Sequence, residues 1–131
     1  PMEIYNNPKS LFVAKFVGSP QMNIINSDKD ENLALCLSKK LNIEKNKVKN
    51  FGARPESIKM VQQNNGDINA KIETIQPTGA DWIVGLNVSG KSIFVISSEP
   101  PIGKENDIIG IDFKVEGCHS FDSNDLRIVK S

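Results

Sequence analysis

Histidine is almost absent from this chain: His119 stands alone among 131 residues. That scarcity excludes a metal centre built from histidines. A Ser-His-Asp triad would have to gather around one ring, and no nucleophile-elbow pattern is present. Cysteine is nearly as rare. Cys36 and Cys118 lack metal-ligand spacing and form no disulfide framework, and both sit among apolar neighbours. They are expected to be reduced core residues of a cytosolic protein. Net charge is missing as well, because 16 basic residues balance 16 acidic ones. No global field therefore points to nucleic acid or to anionic lipid. No apolar run approaches the roughly 20 residues that a membrane-spanning helix needs. No secretory signal pattern is visible either. The carboxylates are spread over turns and strand exteriors, with no convincing pair for acid–base chemistry. Nothing in this inventory supports a small enzyme.

What the chain does have is short stretches of period-two hydrophobicity between turn residues. Ile58 to Val61, Trp82 to Val88 and Cys118 to Phe121 read as strands, and Val48 to Phe51 leads into another. Ile68, Ala70 and Ile72 alternate with polar residues, as do Ile109, Ile111, Phe113 and Val115. Leu33, Leu35 and Leu37 are also spaced as on one strand face, and Asp125 to Val129 offers a further short strand. Asn64 to Asp67 is a turn of residues that tolerate positive φ. Ser38 to Lys49 is rich in Lys and Asn and reads equally as a loop or a poor helix. At the N-terminal end, Asn7-Pro8 starts a helix that carries Phe12 and Phe16 on one face. Gly18 and Pro20 stop it, and Met22 and Ile24 then share one face of a first strand. The fold expected is mainly β: an OB-like small β-barrel of short antiparallel strands with a short N-terminal helix. Residues 1–20 form a helical connector and residues 21–131 the barrel domain. A chain beginning at Pro1 is expected to be a fragment of a longer one.

Residues Gly85 to Ser92 match the phosphate-loop pattern G-x-x-x-x-G-K-[ST] letter for letter. That loop needs a helix after it, whose N-terminus faces the phosphates. Here Ile93-Phe94-Val95-Ile96 follows, a strand-forming run, so the stretch is expected to be a β-hairpin turning at Ser89-Gly90-Lys91. Asn87-Val88-Ser89 spells a glycosylation sequon that is idle without a secretory signal. Trp82 and the phenylalanines are interleaved with aliphatic residues at strand spacing, which favours core over a base-stacking platform.

Two short windows carry a resemblance. Pro1, Glu3, Ile4, Tyr5, Pro8, Phe12, Val13, Ala14, Phe16, Val17, Gly18, Ser19, Pro20, Met22 and Asn23 match a pattern in ATPase subunits of carbohydrate-type ABC importers. The pattern reads roughly P-x-E-[IL]-Y-x-x-P-x-x-x-F-V-A-x-F-[IV]-G-S-P-x-M-N. Gly52-Ala53-Arg54-Pro55-Glu56 is similar to that family's G-[IV]-R-P-E, with Ala53 in place of a branched residue and Ser57 where His is common. Weaker matches run from Ile72 to Asp81 and from Cys118 to Asp122. The chain thus resembles the C-terminal regulatory domain, the transport-associated OB domain, of maltose- or glycerol-3-phosphate-type importers.

The resemblance implies a regulatory and dimerising role without catalysis, metal or cofactor in this stretch, ATP and Mg²⁺ belonging to a nucleotide-binding domain outside it. The implied partners are a second ATPase subunit, permease subunits through that other domain, and a regulatory protein, at the inner face of the cell membrane. Phe16, Gly18, Ser19, Pro20, Met22 and Asn23 would shape the junction and adjoining interface. Arg54, Pro55, Glu56, His119 and Phe121 would contribute contacts between copies or with regulators. By chemistry alone, Arg54 and Glu56 fit a structural loop with an internal ion pair as well as a partner contact, where a planar Arg serves well. An OB-fold module binding nucleic acid or a small ligand is the alternative.

Overall fold

The computed structural model describes residues 9–11 and 21–129. The expected N-terminal helix, including Phe16, Gly18, Ser19 and Pro20, lies outside those residues apart from Lys9, Ser10 and Leu11. Within them the fold is mainly β, as expected. Strand β1 (Asn23–Asn26) leads to helix α1 (Glu31–Leu41), and then come β2 (Asn50–Ala53), β3 (Ile58–Val61), β4 (Ile68–Pro77), β5 (Trp82–Val88), β6 (Lys91–Ser97), β7 (Ile108–Phe113) and β8 (Cys118–Phe121). Short 3₁₀ turns at Lys45–Lys47, Pro55–Ser57 and Val115–Gly117 join them.

The strands form two antiparallel sheets, one ordered β1-β2-β8 and the other β3-β7-β4-β5-β6. The OB-like character holds, but the backbone ladders do not close into one continuous barrel. Ile72, Val84, Leu86, Ile93, Val95, Ile111 and Phe113 from the larger sheet are all within 1% of complete burial. They pack with Ile25 and Phe51 of the smaller sheet and with one face of α1 in a single apolar core. Alternation is what places these side chains on one face of each strand.

The segment Leu33 to Leu37 corrects an expectation: it is helical, not a strand. The same leucines satisfy both periods. Leu33, Ala34 and Leu37 are buried and Leu41 is half-buried, a helical stripe, while Leu35 is 46% exposed. Asn26 prepares the start, its Oδ1 accepting the N–H groups of Asp28 and Lys29 at 2.9 Å. Asn42 ends the helix in the left-handed region with φ 54°. The helix therefore takes up the first residues of the undecided Ser38 to Lys49 stretch.

Two further expectations shift. Val115 does not continue β7; it lies in the 3₁₀ turn and is 48% exposed. The chain must leave the larger sheet here, and Arg54 N–H donates to Gly117 O at 2.9 Å, seating this turn against the Pro55–Ser57 turn. Asp125 to Val129 forms no strand, only isolated bridges from Leu126 to Ser10 and from Arg127 to Phe121.

The letter-perfect phosphate-loop match is a hairpin. Gly85 sits in mid-strand on β5, Ser89 and Gly90 form a two-residue turn with φ 51° and 90°, and Lys91 opens β6.

Candidate contact surface

The smaller sheet gathers the described part of the sequence-derived site. In β1, Asn23 lies opposite Ala53 of β2, and Gly52 of β2 lies opposite His119 of β8. Met22, just before β1, packs with Phe121 and Leu11 in a second, smaller apolar cluster beside Ile24. Met22 and Ile24 thus share one side, as their spacing implied. Gly52 is the reason they can. A Cβ there would lie 2.2 Å from Met22 Sδ and 3.3 Å from the Phe121 ring. Only glycine lets the thioether settle onto the strand.

Asn23 joins the two sheets. Its Oδ1 accepts the Phe94 N–H at 2.8 Å, and its Nδ2 donates to Phe94 O at 2.8 Å and to Ala53 O at 3.2 Å. Phe94 belongs to β6, an edge of the larger sheet. One side-chain amide thereby satisfies backbone groups that an edge strand otherwise leaves open.

Beyond β2 the chain enters the Arg54-Pro55-Glu56 loop. Arg54 is extended, as the following proline requires, with φ −66° and ψ 136°. Its side chain is only 2% exposed. Burial pulls the guanidinium below its ordinary pKa, because the charged form loses hydration. Glu56 is exposed and Pro55 is buried. Of the three, only Glu56 presents its side chain to solvent.

His119 is 8% exposed and lines a groove of about 280 Å³ with Leu41, Ile43, Val115, Ile128, Val129 and Arg127. The groove lies at the C-terminal end of α1, beside β8 and the chain's last described residues. Val115 and Val129 stand 48% and 71% exposed on it. Sequence reasoning missed this apolar rim, because Val115 looked like the inward-facing end of β7 and Val129 like a strand residue. An exposed pair of valines leaves no periodic trace.

Cys118 is a buried core residue as expected, whereas Cys36 is only half-buried and packs against the core from its edge; both are free thiols. Burial chiefly, with Asp67 adding to it, raises the Cys36 thiol to about 11. Burial raises Cys118 to about 12. Neither is a ready thiolate at neutral pH. Among the described residues no cluster of His, Cys, Asp or Glu could hold a metal ion, and no helix is long and apolar enough to cross a membrane.

No family model matches the chain. Curated proteins do. It is 32% identical over 94% of its length to an uncharacterized ABC transporter ATP-binding protein, YcjV, of Escherichia coli O6:H1. It is 31% identical over 99% of its length to the sn-glycerol-3-phosphate import ATP-binding protein UgpC of Psychromonas ingrahamii, and 32% identical over 94% to that of Pectobacterium atrosepticum. The chain spans 37–38% of the length of these relatives. Nearly all of it therefore corresponds to a part of ABC transporter ATP-binding proteins, in line with the resemblance in its sequence.

Proposed function

We propose, taking as premise that this chain is homologous over almost its whole length to a segment of ABC transporter ATP-binding proteins, that it is the regulatory and dimerising domain of such a subunit in a sugar-type importer. The observation that carries this reading is the 94–99% coverage of the chain by proteins of that kind, two of them named for sn-glycerol-3-phosphate import. The parent subunit would hydrolyse ATP in its other part and work with a second copy and with permease subunits at the inner face of the membrane. This stretch would do no chemistry.

The physical role is tethering. A lasting contact between two such domains turns re-closure of the catalytic parts over ATP into an intramolecular event at high effective concentration. A regulator that binds one arrangement better than the other shifts the equilibrium by that difference in affinity. Buried Met22, Asn23, Arg54 and Phe121 would serve as the platform. Exposed Glu56, Val115 and Val129, with His119 at the groove floor, would supply the contact. Sedimentation of the parent subunit across a concentration series tests this. Val115→Asp and Val129→Asp are expected to weaken self-association and uptake together, with the fold intact. Association unchanged in both variants would sink the assignment of the surface. Detectable ATP turnover by the isolated chain would sink the role.

A further inference from the structure

We propose that Asn65 is a site of spontaneous backbone rearrangement, at which the folded chain loses ammonia and gains an isoaspartate. Asn65-Gly66 is the one Asn-Gly pair in the sequence. The fold demands glycine at this place: a Cβ on Gly66 would lie 2.5 Å from Ile111 O and 2.8 Å from Ile111 C and N. The obstructing atoms are backbone and cannot step aside. The packing that requires glycine also leaves the Gly66 nitrogen without a flanking side chain, the condition under which it can reach the preceding amide carbon.

The asparagine side chains nearby differ in how they are held. Asn64 and Asn69 are tied to each other, with Asn69 Nδ2 donating to Asn64 Oδ1 at 2.8 Å and Asn64 N–H donating to Asn69 Oδ1 at 2.9 Å. Asn23, Asn26, Asn32 and Asn87 also bond through their amides. Asn65 is exposed, and its side chain has no hydrogen bond among the described residues. It is free to rotate over the Gly66 nitrogen.

The step is self-contained. The Gly66 nitrogen gives its proton to solvent base and attacks Asn65 Cγ, forming the N–Cγ bond. The Cγ–Nδ2 bond breaks, and nitrogen leaves as ammonia with a proton from water. Water then opens the five-membered imide at either carbonyl, giving aspartate or isoaspartate. The net change is water in and ammonia out, with no oxidant or reductant.

Its consequence lies two residues on, at Asp67. Asp67 N–H donates to Ile111 O at 2.8 Å, Asp67 Oδ2 accepts Phe113 N–H at 2.9 Å, and Lys40 of α1 lies 3.1 Å from Asp67. An isoaspartate puts an extra carbon into the backbone just before this anchor and adds a negative charge two residues from Asp67. The rearranged chain therefore holds α1 to β7 less firmly.

The test is to incubate the chain at mildly alkaline pH and map its peptides by mass, with an isoaspartate-specific readout. A parallel sample is kept in denaturant, and an Asn65→Gln variant is carried through. Asn65 is expected to convert several-fold faster than any other asparagine of the folded chain, and Asn65→Gln to abolish that signal. The converted fraction, separated by its added charge, is expected to melt below the unconverted one. An amide that persists at Asn65 in the folded chain while the denatured chain converts would show that the turn protects it, and would overturn the proposal. Faster conversion at another asparagine would overturn it too. Equal melting of the two fractions would overturn the loosening of Asp67.

Discussion

The two sheets solve burial differently. The larger one fills its inner face with Ile72, Val84, Leu86, Ile93, Val95, Ile111 and Phe113. The smaller one, with the turns that leave it, buries Asn23, Ser27, Asn50, Arg54, His119 and Ser120. An apolar face needs only area and fit, and its stabilisation is non-directional. A buried polar group must meet a partner in a fixed geometry or lose more than it contributes. The smaller sheet is therefore the region where residue identity, rather than residue class, is constrained. It is also where, with the turns that leave it, the candidate site residues that can be placed fall: Met22, Asn23, Arg54, Pro55, Glu56, His119 and Phe121.

Breaking the larger sheet should cost most. Phe113→Ala is expected to destabilise by about 3–5 kcal/mol, through lost transfer energy and the cavity left behind. Urea unfolding would measure it. If the loss were under about 1 kcal/mol, the site would be collapsing freely and the core would be looser than its burial implies.

In the smaller sheet, Gly52→Ala is expected to cost about 1–3 kcal/mol by overpacking. The decisive measurement is the double variant. Met22→Ala removes the sulfur that the new methyl meets, so the two changes should cost less together than their sum. Strict additivity would mean that Gly52 is needed for some other reason.

Alkaline pH separates the regions less sharply. Both thiols are raised on folding, from the ordinary 9.0 to about 11 for Cys36 and about 12 for Cys118. Below pH 9 the thiol is protonated in both states, and its contribution is complete. Above it the unfolded chain releases the proton first, so stability drains as pH climbs toward the folded values. Lys40, raised by its hydrogen bond to Asp67, fades in the same direction. Cys118→Ala should flatten the fall in melting temperature above pH 9; an unchanged slope would assign the fall elsewhere.

The smallest effect belongs to Lys91→Ala. Lys91 faces Asp30 at 3.7 Å across a partly exposed surface. A stability change within about 0.5 kcal/mol is expected, and no change in nucleotide binding, since the residue opens a strand. A lost nucleotide affinity would revive the phosphate-loop reading.

The larger sheet was largely legible from sequence. The alternation in Ile68 to Ile72 and Ile109 to Phe113 reports directly which side chains face inward, and Ser89-Gly90 supplies a turn that the flanking strands need. Leu33 to Leu37 was misread because an unbroken run of five apolar residues satisfies two periods at once, and only docking against the core decides between them. The strands of the smaller sheet were legible too, from Met22 and Ile24, Val48 to Phe51 and Cys118 to Phe121, but its candidate site residues were gathered only by likeness to a family. Asn23 carries no periodic signal; its partner Phe94 lies 71 positions away, and nothing local in the sequence announces that an amide will stand in for a neighbouring strand.

That amide makes Phe94 a sentinel. Its N–H sits on a sheet margin, where backbone hydrogens ordinarily trade with solvent quickly, yet it is shielded for as long as the first strand stays seated. Deuterium uptake at this position therefore reads the docking of β1, the strand through which any upstream segment would pull. Asn23→Ala should expose it while the Val95 amide, held within the β5–β6 ladder, keeps its protection. Coordinated loss at both would mean that the edge and the seam open as one unit.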